Sequence, residues 1–127
     1  MQIPADLSAL LQAEKIQAKA ARYGFDWPEV ESVFAKVEEE LRELKEAYAQ
    51  GDAKQVEEEV GDLLFVMVNL ARHLKVRPED ALRASNRKFI RRFQYMERRL
   101  KAQGQSLTGA SLECLEALWQ EAKRDGA

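Results

Sequence analysis

The stretch Val30-Glu-Ser-Val-Phe-Ala-Lys-Val-Glu-Glu-Glu-Leu-Arg-Glu-Leu-Lys-Glu-Ala-Tyr48 decides the fold class. Its apolar residues, Val30, Phe34, Val37, Leu41, Leu44 and Tyr48, are separated alternately by four and three positions. That rhythm is a helical stripe of the kind used along a bundle or coiled-coil seam. Gly51 stops the segment, and a second run of the same type follows, with Val56, Val60, Leu63, Met67, Leu70 and Leu74 as its stripe. Two such helices joined by a tight turn pack antiparallel through their stripes.

Working outward, the rest of the chain is also helical. Strict apolar/polar alternation is absent, and Gly and Pro fall between the periodic segments. The expected elements are five helices and no strand. Helix 1 covers roughly residues 5–21. Helix 2 covers 27–50, with Asp26 as N-cap, Glu29 as capping-box partner and Pro28 in the first turn. Helix 3 runs from Asp52 to about Leu74, helix 4 opens at Arg77-Pro78 and runs to about Gly104, and Ser111 caps helix 5. A chain of 127 residues is read as one domain, 1–127. The run Leu64–Val68 is apolar on every side of helix 3, which a monomer of this size does not easily bury. A dimer with helix 3 near its interface is expected.

Composition excludes several function classes. A net charge of −2 gives no general attraction to nucleic acid or to an anionic membrane. The single cysteine, Cys114, permits no internal disulfide, as suits a reducing cytoplasm, and is read as a small buried residue. No signal peptide is seen at the start, and no apolar run is long enough to span a bilayer. One histidine and one cysteine exclude a Cys/His zinc site, no Glu-x-x-His pair supports a di-iron bundle, and no Walker-type glycine loop is present.

The chemistry lies in two carboxylate pairs, Glu40-x-x-Glu43 and Glu59-x-x-Asp62. Residues three apart share a helix face. At about 100° per residue both pairs run along the flanks of their stripes rather than on the solvated side. When the stripes pack, the pairs converge. Four carboxylates in one place repel unless a cation lies between them, and hard oxygen ligands suit Mg²⁺, with Mn²⁺ as a substitute. Helix 4 supplies the opposite charge: Lys88, Arg92 and Arg99 share one flank with Ser85, beside an apolar stripe of Leu82, Phe89, Phe93, Met96 and Leu100. Acidic and basic flanks together suit a metal–polyphosphate complex. Each feature alone is also what a solvated helix surface looks like. Asn69 and His73 fit a second layer of ligands or a polar rim, and Trp119 fits a core or a base-stacking platform.

In order along the chain, Lys19-Ala-Ala-Arg-Tyr-Gly-Phe-Asp-Trp27, Lys36-Val-Glu-Glu-Glu-Leu-Arg-Glu43, Glu57-Glu-Glu-Val-Gly-Asp62-Leu-Leu-Phe, Asn69-Leu-Ala-Arg-His-Leu, Asn86-Arg-Lys-Phe-Ile-Arg-Arg-Phe93 and Leu118-Trp-Gln-Glu-Ala-Lys123 closely resemble the MazG nucleoside triphosphate pyrophosphohydrolases. The resemblance covers nearly the whole chain. It implies an all-α fold that dimerises through a four-helix bundle, with higher oligomers open, and Mg²⁺-dependent hydrolysis of (d)NTPs to the monophosphate and pyrophosphate. It implies Glu40, Glu43, Glu59 and Asp62 as metal ligands. Lys36, Glu39, Glu58, Lys88, Arg92 and Trp119 match positions that contact the nucleotide, with Glu39 or Glu58 available to orient or deprotonate the water. Many family members carry two tandem domains, and this chain resembles the C-terminal one in a single copy. A dUTPase-like or modified-base-specific pyrophosphatase on the same scaffold is the alternative within this chemistry. A non-catalytic helical dimer that binds nucleotides or proteins is the alternative outside it.

Overall fold

The computed structural model describes residues 1–127 and contains five α-helices, one 3₁₀ turn and no strand. The chain divides into two compact units, Met1–Ala81 and Leu82–Ala127. The first holds α1 (Ala9–Arg22), α2 (Val30–Gln50) and α3 (Ala53–His73). Helix α4 (Pro78–Ala102) begins in the first unit and continues into the second, which also holds the 3₁₀ turn Leu107–Gly109 and α5 (Leu112–Arg124).

In the first unit α2 and α3 form the main packed pair, and α1 lies against α3. Two local devices make the α2–α3 hairpin tight. Gly51 takes φ +71°, a left-handed conformation that costs glycine nothing, and closes α2. Asp52 then caps α3, its Oδ1 accepting from the Gln55 amide at 3.1 Å. The core behind the hairpin is Val33, Val66 and Leu70, with Val30, Val37 and Leu63 packed against it.

The stripe expected to face the core on α2 divides: Val30 and Val37 pack against the core, but the other half does not. The buried residues are Val33, Glu40 and Ala47, while Phe34, Leu41 and Tyr48 are exposed, Tyr48 by 79%. The buried row is thus the exposed row moved back by one residue, a rotation of about 100°. Helix α3 divides in the same way: Glu59 and Val66, one residue before Val60 and Met67, are buried beside the stripe residues Leu70 and Leu63, while Val60, Met67 and Leu74 are exposed. Within Leu64–Val68, Val66 and Val68 are buried, but Leu64 is 60% exposed and Phe65 and Met67 are also open. The α2–α3 hairpin closes on the flank that carries the carboxylates. The exposed half of the two stripes, Phe34, Leu41 and Tyr48 with Val60, Leu64 and Met67, forms a second apolar face open to solvent.

Two helix starts also move. Helix α1 begins at Ala9, not near residue 5, because Ser8 is its cap, its Oγ accepting from the Leu11 amide at 3.2 Å. Helix α2 begins at Val30, and Glu29 sits at its N-cap without a side-chain capping bond. Asp26, expected to be that cap, is instead drawn into ion pairs with α3.

The second unit has its own core of Met96, Leu100 and Leu118, flanked by Leu107, Ala110, Cys114, Leu115 and Trp119. Ser111 caps α5 as expected, accepting from the Cys114 amide at 3.1 Å. Arg99 pairs with Glu121 at 2.8 Å, and the single proton of the Tyr95 hydroxyl is shared between Asp125 at 2.6 Å and Glu121 at 3.0 Å. The Asp125 hydrogen bond, burial and Glu121 together push the Tyr95 hydroxyl up to about 12. No helix is long and apolar enough to cross a membrane.

Candidate functional site: a carboxylate cluster beside a cavity

The rotation of the hairpin brings acidic residues together. Glu40, Glu43 and Glu59 each offer a carboxylate oxygen, and these atoms lie within 4.8 Å of one another. Glu40 is only 7% exposed and Glu59 only 8%, while Glu43 is half-buried. Such burial of carboxylates is costly unless each oxygen has a partner. Each has one partnered oxygen. Glu40 Oε1 meets Lys36 Nζ at 3.2 Å, and Glu59 Oε1 accepts from Gln55 Nε2 at 2.8 Å. The second oxygens, Glu40 Oε2 and Glu59 Oε2, are fully buried with no hydrogen-bond partner. Two orphaned anionic oxygens in a cluster of hard ligands are what a divalent cation satisfies.

The electrostatics agree. Burial first, then the neighbouring charges of Glu40, Glu59 and Glu39, push the Glu43 carboxyl above its ordinary range. Lys36 is held above its usual value, chiefly by its hydrogen bond to Glu40 and, against a smaller opposing effect of burial, by Glu39 at 3.4 Å. One lysine is the only cation paired with this cluster.

Next to the cluster lies a cavity of about 510 Å³. Lys36, Glu40 and Asp62 line its acidic end, Ile16, Ala20, Phe25, Trp27, Phe65 and Val66 its apolar walls, and Gln17, Asp26, Asn69 and Arg72 its polar end. The volume and the mixed lining suit a small organic molecule with a charged end. Asp62 is exposed on the cavity wall and is not among the three clustered carboxylates. Glu39 is half-buried in the Lys36 ion pair. Glu58 is exposed, and its i, i+4 spacing puts it on the face of α3 that carries Asp62.

The polar end was not legible as a site. Arg72 donates to Asp26 Oδ1 at 3.0 Å, to Asn69 Oδ1 at 2.9 Å and to Gln17 Oε1 at 3.3 Å, and His73 Nε2 lies 3.1 Å from Asp26 Oδ1. Burial raises the Asp26 carboxyl, but hydrogen bonds from Arg72, His73 and the Trp27 amide outweigh it and leave the group below its usual value. Gln17, buried on α1, donates to the Phe65 carbonyl at 2.8 Å. The available signal was the pairing of Asp26-Trp27 with Asn69-x-x-Arg72-His73, but spacing along one chain does not reveal a contact 46 residues apart.

The remaining expected residues belong to the second unit. Trp119 is half-buried against its core, tilted on Phe89 with centroids 5.3 Å apart, and the Arg92 guanidinium stands 5.2 Å from its ring centroid. That is a cation–π distance. Arg92 Nε also donates to the Ala127 carbonyl at 3.0 Å. Lys88, like Arg87 and Arg91, is exposed.

Comparison with known proteins bears on this arrangement. The MazG nucleotide pyrophosphohydrolase domain matches residues 28–96, which hold all four carboxylates of the two pairs, Lys88 and Arg92. Over 126 residues the chain is 46% identical to a nucleoside triphosphate pyrophosphohydrolase of Escherichia coli strain K12, covering 96% of this chain and 47% of that protein. Over 115 residues it is 49% identical to the nucleoside triphosphate pyrophosphohydrolase/pyrophosphatase MazG of Thermotoga maritima, covering 91% of this chain and 44% of that one. The chain therefore spans about half the length of these curated relatives.

Proposed function

The chain belongs to the MazG nucleotide pyrophosphohydrolase family, and from that premise we propose that it hydrolyses (deoxy)nucleoside triphosphates to the monophosphate and pyrophosphate with Mg²⁺ as cofactor. The observation that carries the reading is the pair of buried, partnerless oxygens on Glu40 and Glu59 within reach of Glu43. A purely structural cluster would leave three carboxylates with one paired lysine and two unmet acceptors.

Glu40, Glu43, Glu59 and, from the cavity wall, Asp62 would hold the ion. An ion held there would supply Lewis-acid chemistry, polarising a phosphoryl oxygen and lowering the pKa of a water. The protein's own groups do the rest. Lys36 anchors Glu40 and adds positive charge at the acidic end of the cavity. Glu39 or Glu58 orients the attacking water and takes its proton. Lys88 and Arg92 neutralise the β and γ phosphates, and Trp119, held under Arg92, contacts the nucleotide. The apolar walls contributed by Phe25, Trp27 and Phe65 receive the nucleobase.

The active form is a homodimer. Phe34, Leu41 and Tyr48 on α2 and Val60, Leu64 and Met67 on α3 form an apolar face left open by the chain itself. Exposed stripes at bundle spacing on two adjacent helices support a four-helix bundle made with a second copy. The reading makes the protein a cytoplasmic house-cleaning enzyme of the nucleotide pool, with its catalytic residues within 1–127. Mg²⁺-dependent release of pyrophosphate from a panel of NTPs tests it: orthophosphate as the inorganic product, or no turnover, would refute the proposed reaction.

A further inference from the structure

The polar end of the cavity contains an amide whose orientation its neighbours fix. Arg72 Nη2 donates to Asn69 Oδ1 at 2.9 Å and is itself held by Asp26 Oδ1 at 3.0 Å. A guanidinium has donors and no acceptor. The Asn69 amide can therefore turn only its oxygen toward Arg72, and its Nδ2 must point away. Gln17 is fixed twice by the same logic, its oxygen on Arg72 Nε and its nitrogen on the Phe65 carbonyl. Asn69 lines the cavity, and its Nδ2 makes no hydrogen bond within the chain. The result is a locked N–H donor at the cavity's polar end, away from the Glu40–Glu43–Glu59 cluster, where Gln17, Asp26 and Arg72 already satisfy one another.

We propose that Asn69 Nδ2 reads the nucleobase, selecting bases that present a carbonyl oxygen there over bases that present an amino group. The inference rests on the nucleotide reading above and narrows it to a substrate class: triphosphates of uracil, hypoxanthine and related keto bases. A carbonyl accepts from Nδ2. An exocyclic amino group facing Nδ2 sets donor against donor and leaves both without a partner once the base displaces water from them, which is the costly outcome. Arg72 is a positioning residue in this scheme, since it acts only by holding the amide in one of its two orientations.

The test compares kcat/KM of the full chain for UTP against CTP and for ITP against ATP. Each pair shares its sugar and phosphates and differs only along the edge that exchanges carbonyl for amino. Wild type is expected to favour UTP and ITP by about 10-fold or more. Asn69→Asp keeps an oxygen for Arg72 and replaces the donor by an acceptor, so both preferences should reverse. The added negative charge meets the same triphosphate within each pair and drops out of the ratio. Asn69→Ser, which removes the amide with little steric demand, should bring both ratios toward one, and circular dichroism confirms that either variant is folded. Wild-type ratios near one, or ratios that Asn69→Asp leaves unchanged, would overturn the inference while leaving the pyrophosphohydrolase reading intact. Failure of wild type to hydrolyse any of the four would overturn both.

Discussion

Glu59→Gln separates a cation site from a structural acidic cluster without relying on turnover. In the wild type, Glu40 and Glu59 are both buried, and their carboxylate oxygens lie within 4.8 Å. Two unit charges at that separation repel by about 3 kcal/mol at an effective dielectric constant of 20 and by about 1 kcal/mol in water. Lys36, 3.2 Å from Glu40, offsets part of this. The substitution keeps the amide oxygen on Gln55, which donates to Glu59 Oε1 at 2.8 Å, and puts an NH₂ in place of the orphaned Oε2. That nitrogen can donate to a neighbouring carboxylate. The variant should therefore be more stable than wild type without metal, by about 1–3 kcal/mol. For a domain of this size the melting temperature rises by roughly 3–5 °C per kcal/mol. Mg²⁺ should reverse the order. A ligand present at 100 times its Kd stabilises by about 2.7 kcal/mol, and the variant, having lost a ligand, should gain much less. Thermal unfolding in EDTA and in a Mg²⁺ series reads both effects. A variant less stable than wild type in EDTA, or an equal Mg²⁺ response in both proteins, would refute the reasoning.

Three further outcomes follow from the same structure. Lys88→Ala and Arg92→Ala should each lower kcat/KM for a triphosphate by about 10- to 1000-fold, the scale of one charge-assisted hydrogen bond to the substrate, whereas Arg87→Ala and Arg91→Ala should change it by about threefold or less at fixed ionic strength. Equal losses at all four positions would indicate a diffuse basic surface. The Asp26 carboxyl is depressed below 3.8, so the stability it contributes is complete above that unfolded value and disappears as pH falls through the lower folded value; Asp26→Asn should flatten this acid limb in urea unfolding followed from pH 5 to 2, and an unchanged limb would mean that the Arg72–His73 contacts add no stability. Leu64→Lys places a charge in the open apolar face and should shift sedimentation from dimer to monomer at micromolar concentration, while a wild type that already sediments as a stable monomer would dismiss the bundle.

The fold class was legible because helical periodicity is a local property. Val30 to Tyr48 reads as a helix from its own spacing, and Gly51-Asp52 reads as a stop and a cap from their own backbone chemistry. Ser111 was assigned on the same grounds, and the structure agrees. The carboxylate pairs were legible for a related reason: i, i+3 spacing on each of two adjacent helices constrains what a hairpin can bring together, and three of the four carboxylates do cluster.

What local spacing cannot fix is which of two neighbouring faces turns inward. On α2 the rows Val33–Glu40–Ala47 and Phe34–Leu41–Tyr48 differ by one residue, and the second is the more apolar. Hydrophobicity alone therefore assigned Phe34, Leu41 and Tyr48 to the chain's own core together with Val30 and Val37, and only the last two reach it. Its exposure is the physical counterpart of the buried glutamates: a helix that gave Phe34, Leu41 and Tyr48 to the hairpin would turn Glu40 toward solvent and separate it from Glu59. Asp26 failed in a parallel way. As a local group it is a good N-cap, but a guanidinium and an imidazole on α3 compete for its oxygens, and two side-chain partners outweigh one helix terminus. That exchange ties the Phe25–Trp27 segment to α3 and closes the cavity's polar end. The positions where local preference lost are thus the ones that build the site. Burying acid at Glu40 and Glu59 gives up helix-packing energy that an apolar row would have supplied, which is the pattern of a position shaped by function rather than by folding alone.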